Sequence, residues 1–196
     1  QTGRLPPLRL LGQLHRTYIL AQGEEGLVVI DQHAAHERVL YERLLRARAA
    51  ADPAAQTLIT PLAVELDGRE AALLPACQDT LAALGFHLEP FGARAVLLRA
   101  IPPTASPAGA ERLLRELLSE ALERDRPAAA RDLLERLTIA TACHTAIRAG
   151  DSLSGDQMAA LLRDLAATED PFTCFHGRPT MVTVRREQIE RWFLRR

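Results

Sequence analysis

Two short apolar runs, residues 17–21 and 27–30, flank Gly23-Glu24-Glu25-Gly26, a turn that predicts an antiparallel hairpin. From residue 33 to 48 the pattern changes to helical spacing, with Val39, Leu40, Leu44 and Leu45 on one side and charges opposite. A helix therefore follows directly on a strand. Residues 57–66 return to a strand pattern. Residues 70–84 then put Leu73, Leu74, Cys77, Leu81 and Leu84 on one helical face, with Gly85 as the stop. Strand patterns at 86–88 and 95–101 precede a proline-rich link, 102–107, and a helix over about 109–124. Pro127 opens another helix, reaching Gly150. Ser154 with Gln157 three residues on is a capping box for a helix to about Ala167. A strand over 180–184 and a closing helix over 187–196 finish the chain. The first residues, with Pro6 and Pro7, read as the tail of a linker from an upstream domain.

This order predicts an α+β fold, mostly antiparallel sheet and helices. The middle run of strand, helix, two strands and helix makes a smaller α+β subdomain inserted between the first hairpin and the rest. No internal repeat is visible. With 47% apolar residues in 196, the chain can bury a proper core. It has no apolar run of membrane-spanning length and no signal-peptide pattern, so a soluble, cytoplasmic protein is expected. Three cysteines, an odd number, favour thiol or metal chemistry over a disulfide framework. A net charge of -1 argues against a dedicated nucleic-acid binder, because non-specific DNA affinity comes from neutralising phosphates. Any DNA contact must be local or assisted.

The chemistry concentrates in Asp31-Gln32-His33-Ala34-Ala35-His36-Glu37, at the strand-to-helix junction. His33 and Glu37, four apart, share a helix face. Asp31 offers a carboxylate or a base. Cys174-Phe175-His176 brings a thiolate and an imidazole from a loop, and Cys143 a thiolate from a helix. Zinc takes this mixture of donors, and four or five such groups can hold one or two ions. Each piece also has a plain reading. Asp31 can be a helix cap, Cys143 a small core residue, and Gly177-Arg178-Pro179 a turn. Spacing alone leaves both open.

Asp31-Gln32-His33-Ala34, two residues, Glu37, four residues, Glu42 matches the endonuclease signature of the MutL family of DNA mismatch-repair proteins without a gap. Ala142-Cys143 resembles the family's second metal motif. Cys174-Phe175-His176-Gly177-Arg178-Pro179 resembles its third, with Phe175 where proline is usual. Phe193-Leu194-Arg195 is similar to its C-terminal motif. The resemblance implies the C-terminal endonuclease and dimerisation region of a bacterial, endonuclease-proficient member, which nicks one strand of duplex DNA. The implied metal ligands are His33, Glu37, Cys143, Cys174 and His176, with Asp31 a catalytic carboxylate beside His33 and Glu37. Zn2+ would be structural or regulatory, and Mn2+ or Mg2+ the working ion. Dimerisation and metal ligands would occupy residues 1–60 and 137–196, and an external, regulatory subdomain 61–136.

Gln56-Thr57-Leu58-Ile59-Thr60-Pro61 resembles the motif by which bacterial members engage the replication sliding clamp, through Gln56, Leu58, Ile59 and Pro61. Its plain alternative is an edge strand ending at Pro61. The other implied partners are a second copy in a homodimer, duplex DNA, the mismatch-recognition protein MutS and the chain's own upstream ATPase domain, at the nucleoid and not at a membrane. Arg178 and Arg195 are the candidate phosphate contacts. The run Arg185, Arg186, Arg191, Arg195 and Arg196 also fits a solvated helical face. His36 is expected to be solvated, and His15, His87 and His144 have no expected partner. The rival readings are a non-catalytic dimerisation module with a structural zinc, and a metal hydrolase of small phosphoesters.

Overall fold

The computed structural model describes residues 5–49, 55–122 and 130–195. In chain order the elements are β1 (Arg9–Leu14), β2 (Tyr18–Gln22), β3 (Gly26–Asp31), α1 (Gln32–Ala49), β4 (Gln56–Glu65), α2 (Gly68–Ala83), β5 (His87–Pro90) and β6 (Ala95–Ile101). There follow a single 3-10 turn (Pro107–Gly109), α3 (Ala110–Leu122), α4 (Ala130–Thr145), α5 (Gly155–Ala166), β7 (Met181–Arg185) and α6 (Arg186–Trp192). The fold is α+β, as the element order predicts. The chain divides into two units, residues 1–42 with 146–196, and residues 43–145.

In the first unit an antiparallel sheet runs in the order β1-β2-β3-β7. Alternation sorts its side chains to two faces. Ile19, Ala21, Val28 and Ile30 point inward onto Ala35 and Val39 of α1 and Met158, Leu161, Leu162 and Leu165 of α5. Each fully buried Leu, Ile or Val there contributes about 1.5–3 kcal/mol. The opposite face carries cross-strand rows, Leu20 beside Val29 beside Val182, and Leu27 beside Val184. Val182 is 53% exposed, and Tyr18 and Leu14 are exposed beyond it. The expected capping box starts α5. The Ser154 hydroxyl accepts from the Gln157 N–H, and the Gln157 side chain accepts from the Ser154 N–H.

β1 is a strand that the sequence reading did not assign. Its pairing with β2 shifts between Leu10 and Gly12, and that irregularity breaks the alternation by which a strand is recognised. The closing helix stops at Trp192, short of residue 196, because Leu194 takes a left-handed φ of 51°. α4 ends at Thr145, before Gly150. Pro127, expected to open it, lies outside the described residues.

In the second unit the sheet order is β4-β6-β5, again antiparallel. α2, α3 and α4 bury Leu81, Leu114, Leu117 and Leu137 with Phe86, Leu98 and Ile101. Asp67 caps α2, and the N–H groups of Glu70 and then Arg69 hold its carboxyl below the ordinary carboxylate range. Burial pushes the Cys77 thiol up, consistent with an inert core residue. β4 is an edge strand, as its plain reading expects, but it continues through Pro61 to Glu65. Its ladder to β6 is irregular between Thr57 and Leu62, where Pro61 has no N–H to give, and Ile59 is fully exposed at 104%.

Gly26 fixes how β3 meets β7. Its φ is +150°, and an added Cβ would lie 2.3 Å from the Val184 carbonyl oxygen and 2.9 Å from the Arg186 nitrogen. Gly26→Ala is therefore expected to lower stability by about 2 kcal/mol, read as a reduced urea midpoint; an unchanged midpoint would remove this constraint.

Candidate metal centre

The centre is built on the first turn of α1. Asp31 ends β3, and its Oδ1 accepts from the N–H groups of His33 (2.9 Å) and Ala34 (3.0 Å). The helix thus starts with two otherwise unpaired donors satisfied, as the capping reading of Asp31 requires. Among the described residues Oδ2 has no partner. Gln32 is wholly buried, and its Nε2 donates to the carbonyls of Arg16 (2.8 Å), Arg148 (2.9 Å) and Asp151 (3.2 Å). Its Oε1 accepts from Gln13 Nε2 at 2.6 Å.

His33 Nδ1 lies 2.8 Å from the Ile147 carbonyl oxygen. A carbonyl only accepts, so the ring proton sits on Nδ1 and the neutral ring leaves a lone pair on Nε2. That Nε2 is 3.2 Å from Glu37 Oε1. The other carboxylate oxygen, Oε2, is 3.7 Å from His176 Nδ1. Glu37 is only 4% exposed, with one oxygen toward each ring. A lone pair facing a buried carboxylate oxygen is repulsive unless a proton or a metal cation lies between them. Two imidazoles and a carboxylate are a donor set that takes zinc, or manganese as a harder ion.

His176 arrives on a short hairpin. Thr173 bridges to Pro179, the Cys174 N–H donates to the Arg178 carbonyl (2.9 Å), and the Gly177 N–H donates to the Cys174 carbonyl (2.9 Å). Gly177 supplies the left-handed φ of 79° that closes the turn. The structure therefore joins residues 31–37 to residue 176 across the sequence. Cys174, two residues from His176, is buried, and its sulfur belongs to no set of three donors within 4.8 Å among the described residues. Cys143 stands half-buried in the last turn of α4, in the second unit. No disulfide joins the three cysteines.

Arg178 is exposed, and among the described residues its guanidinium has no partner. Arg195 is also exposed. Arg185 pairs with Glu25 and Arg186 with Glu190, so part of the C-terminal basic run is already neutralised. His36 is not solvated as expected. It is half-buried, and its Nδ1 accepts the Ile147 N–H at 2.9 Å. His144, without an expected partner, sits 3.0 Å from Glu116. Sequence reasoning missed the anchoring atoms: the Ile147 backbone, the Gln32 amide, and Arg38, whose Nε donates to the Thr173 carbonyl at 2.6 Å. Only Arg38 left a signal, its i,i+4 spacing with Glu42.

Fold and centre together define an α+β domain with an imidazole and carboxylate cluster at a strand-to-helix junction. A family model described as the MutL C terminal dimerisation domain matches residues 11–153, and the chain belongs to this family. It is 44% identical over 184 residues to the DNA mismatch repair protein MutL of Phenylobacterium zucineum (strain HLK1), covering 94% of this chain and 30% of the relative. Against MutL of Geobacillus kaustophilus (strain HTA426) the figures are 44% over 192 residues, 98% and 30%. Against that of Xylella fastidiosa (strain M12) they are 42% over 194 residues, 98% and 31%. The chain thus spans about a third of the curated relatives it matches. Among the described residues no helix is long and apolar enough to cross a membrane.

Replacing Gln32 by Met, which keeps the volume and loses the amide, removes the two N–H donors shared among the Arg16, Arg148 and Asp151 carbonyls, and the oxygen that accepts from Gln13. The expected cost is about 2 kcal/mol by denaturant unfolding; a cost near zero would mean that water replaces the amide without loss.

Proposed function

We propose that this chain is a metal-dependent endonuclease that nicks one strand of duplex DNA in mismatch repair, and that two copies associate through the outer face of the first unit's sheet. The observation that carries the nuclease reading is Glu37. It is a buried carboxylate between two imidazoles, one of which has its proton committed to the Ile147 carbonyl. With one oxygen toward each ring, Glu37 would help His33 and His176 to hold a divalent cation. Glu37 pairs with His33 through one oxygen and with His176 through the other, and these three are candidate ligands. The family resemblance names Cys143 and Cys174 beside them.

A bound divalent ion, zinc in a structural or regulatory role and manganese or magnesium in the working one, supplies Lewis acidity toward a phosphate oxygen and an attacking water. The protein's own groups do the rest. Asp31 Oδ1 is held by two N–H donors, so the orientation of the carboxylate is fixed, and Oδ2 is left to accept a proton. Arg178, two residues from His176, can grip a phosphate with charge-assisted hydrogen bonds, and Arg195 can do so at the C-terminus.

With a net charge of -1, affinity for DNA must come largely from a tether. β4, with Gln56 and Ile59 exposed and Leu58 and Pro61 half-buried, fits that role as a docking strip for the replication sliding clamp. The MutS partnership, the upstream ATPase and a place at the cytoplasmic nucleoid are what the family resemblance implies, and the relatives' names support mismatch repair as the setting. The dimer reading is supported by the family's description and by the uncovered apolar rows of β2, β3 and β7. A two-fold axis lets the same patch serve both copies.

The capping bonds of Asp31 also suit a second reading, a dimerisation module whose zinc only stabilises the fold. Asp31→Asn separates the two, because an amide oxygen still caps. In Mn2+ with supercoiled plasmid and clamp, the variant is expected to nick at least about 100-fold more slowly than wild type while its zinc content stays the same. Equal nicking would remove Asp31 from catalysis, and no nicking by wild type would favour the structural module. For the interface, Val182→Arg is expected to turn a dimer into a folded monomer in sedimentation; a persistent dimer would exclude this face.

A further inference from the structure

We infer that Arg38 and Glu42 are positioning residues: they fasten the loop of residues 169–176 to α1, and so set His176 against Glu37, without touching a cation themselves. The inference rests on the metal reading of Glu37 and His176 given above. Glu42 is 7% exposed, a buried carboxylate that needs compensation. It receives it from the loop backbone. The Glu169 N–H lies 3.0 and 2.9 Å from its two oxygens, and the Asp170 N–H 3.5 Å from Oε1. Arg38 spans the same gap. Its Nε donates to the Thr173 carbonyl at 2.6 Å, its Nη1 is 3.7 Å from Glu42 and its Nη2 3.6 Å from Asp170. Asp170 in turn accepts the Phe172 N–H at 3.1 Å.

The loop is therefore clamped on both sides of Pro171, and the last clamped carbonyl, that of Thr173, stands at the base of the hairpin carrying His176. A third hold follows. The Phe175 ring packs 5.2 Å from that of Tyr41 on α1 and 4.3 Å from the His176 imidazole. The anchors Arg38, Tyr41 and Glu42 and the ligand Glu37 lie within six residues of one helix. Its regular hydrogen bonding keeps them in fixed relation. A ligand on a hairpin must be held to within about 0.5 Å to serve a metal, and its own hairpin bonds fix only its internal shape. The attachment to α1 supplies the remaining constraint. Outer partners of this kind typically change metal affinity by about 10- to 100-fold when removed.

The test uses the 196-residue chain, with zinc affinity read by chelator competition and coordination read from the visible bands of the cobalt-loaded protein. Glu42→Gln and Arg38→Met are expected to weaken zinc binding by about 10- to 100-fold and to shift the cobalt bands, with Arg38→Lys between them and wild type. Melting of the metal-free variants is measured alongside. A purely structural role would lower the melting temperature and leave the folded protein's affinity and cobalt spectrum unchanged, and that result overturns the inference. If wild type takes up neither metal, the metal reading falls, and amide exchange over residues 169–176 then decides the fastening. Exchange at least about tenfold faster in Glu42→Gln than in wild type upholds it, and equal rates overturn it.

Discussion

The backbone of Ile147 is gripped by α1 through both of its polar groups. His33 takes the carbonyl and His36 the N–H, so two rings three residues apart on one helix hold the two peptide groups that flank one α-carbon. The grip settles which nitrogen of His33 carries the proton, and hence which faces Glu37. It also closes the return of the chain from α4 back to the first unit. The Gln32 amide ties the same stretch at Arg148 and Asp151, so the start of α1 is held by residues more than a hundred positions away. The start of α1 is therefore tied to the first unit at several separate backbone groups.

Charge follows the same economy. The chain as a whole is close to neutral, and its buried charges are compensated in place: Glu42 by backbone N–H groups and Arg38 by a carbonyl and two carboxylates. Among the described residues of the first unit, the buried Glu37 carboxylate faces two imidazole rings instead of a guanidinium. A cation between them, proton or metal, would do for Glu37 what backbone N–H groups and Arg38 do for Glu42.

Much of this was legible in the sequence where the signal is local. The Ser154 box, the turn of residues 23–26 and the run of α1 depend on neighbours a few positions apart, and all three are found as read. β1 was lost because its irregular pairing at Gly12 spoils the alternation. The pairing of His33 and Glu37 was readable from helical spacing, and the arrival of His176 only from resemblance. The partners that orient these ligands could not be read at all, because the carbonyls of Ile147 and Thr173 belong to groups that every residue type carries. His36 was misjudged for that reason: its partner is a backbone N–H 111 residues away.

Phe175 stands where the family usually has proline, and its ring bridges Tyr41 and His176. A pyrrolidine stiffens a loop from within, through its own fixed torsion, whereas this ring stiffens it from outside by leaning on a neighbour. In this chain a change at position 41 removes the support of the ring at 175, and a change at 175 leaves Tyr41 and His176 without the ring between them.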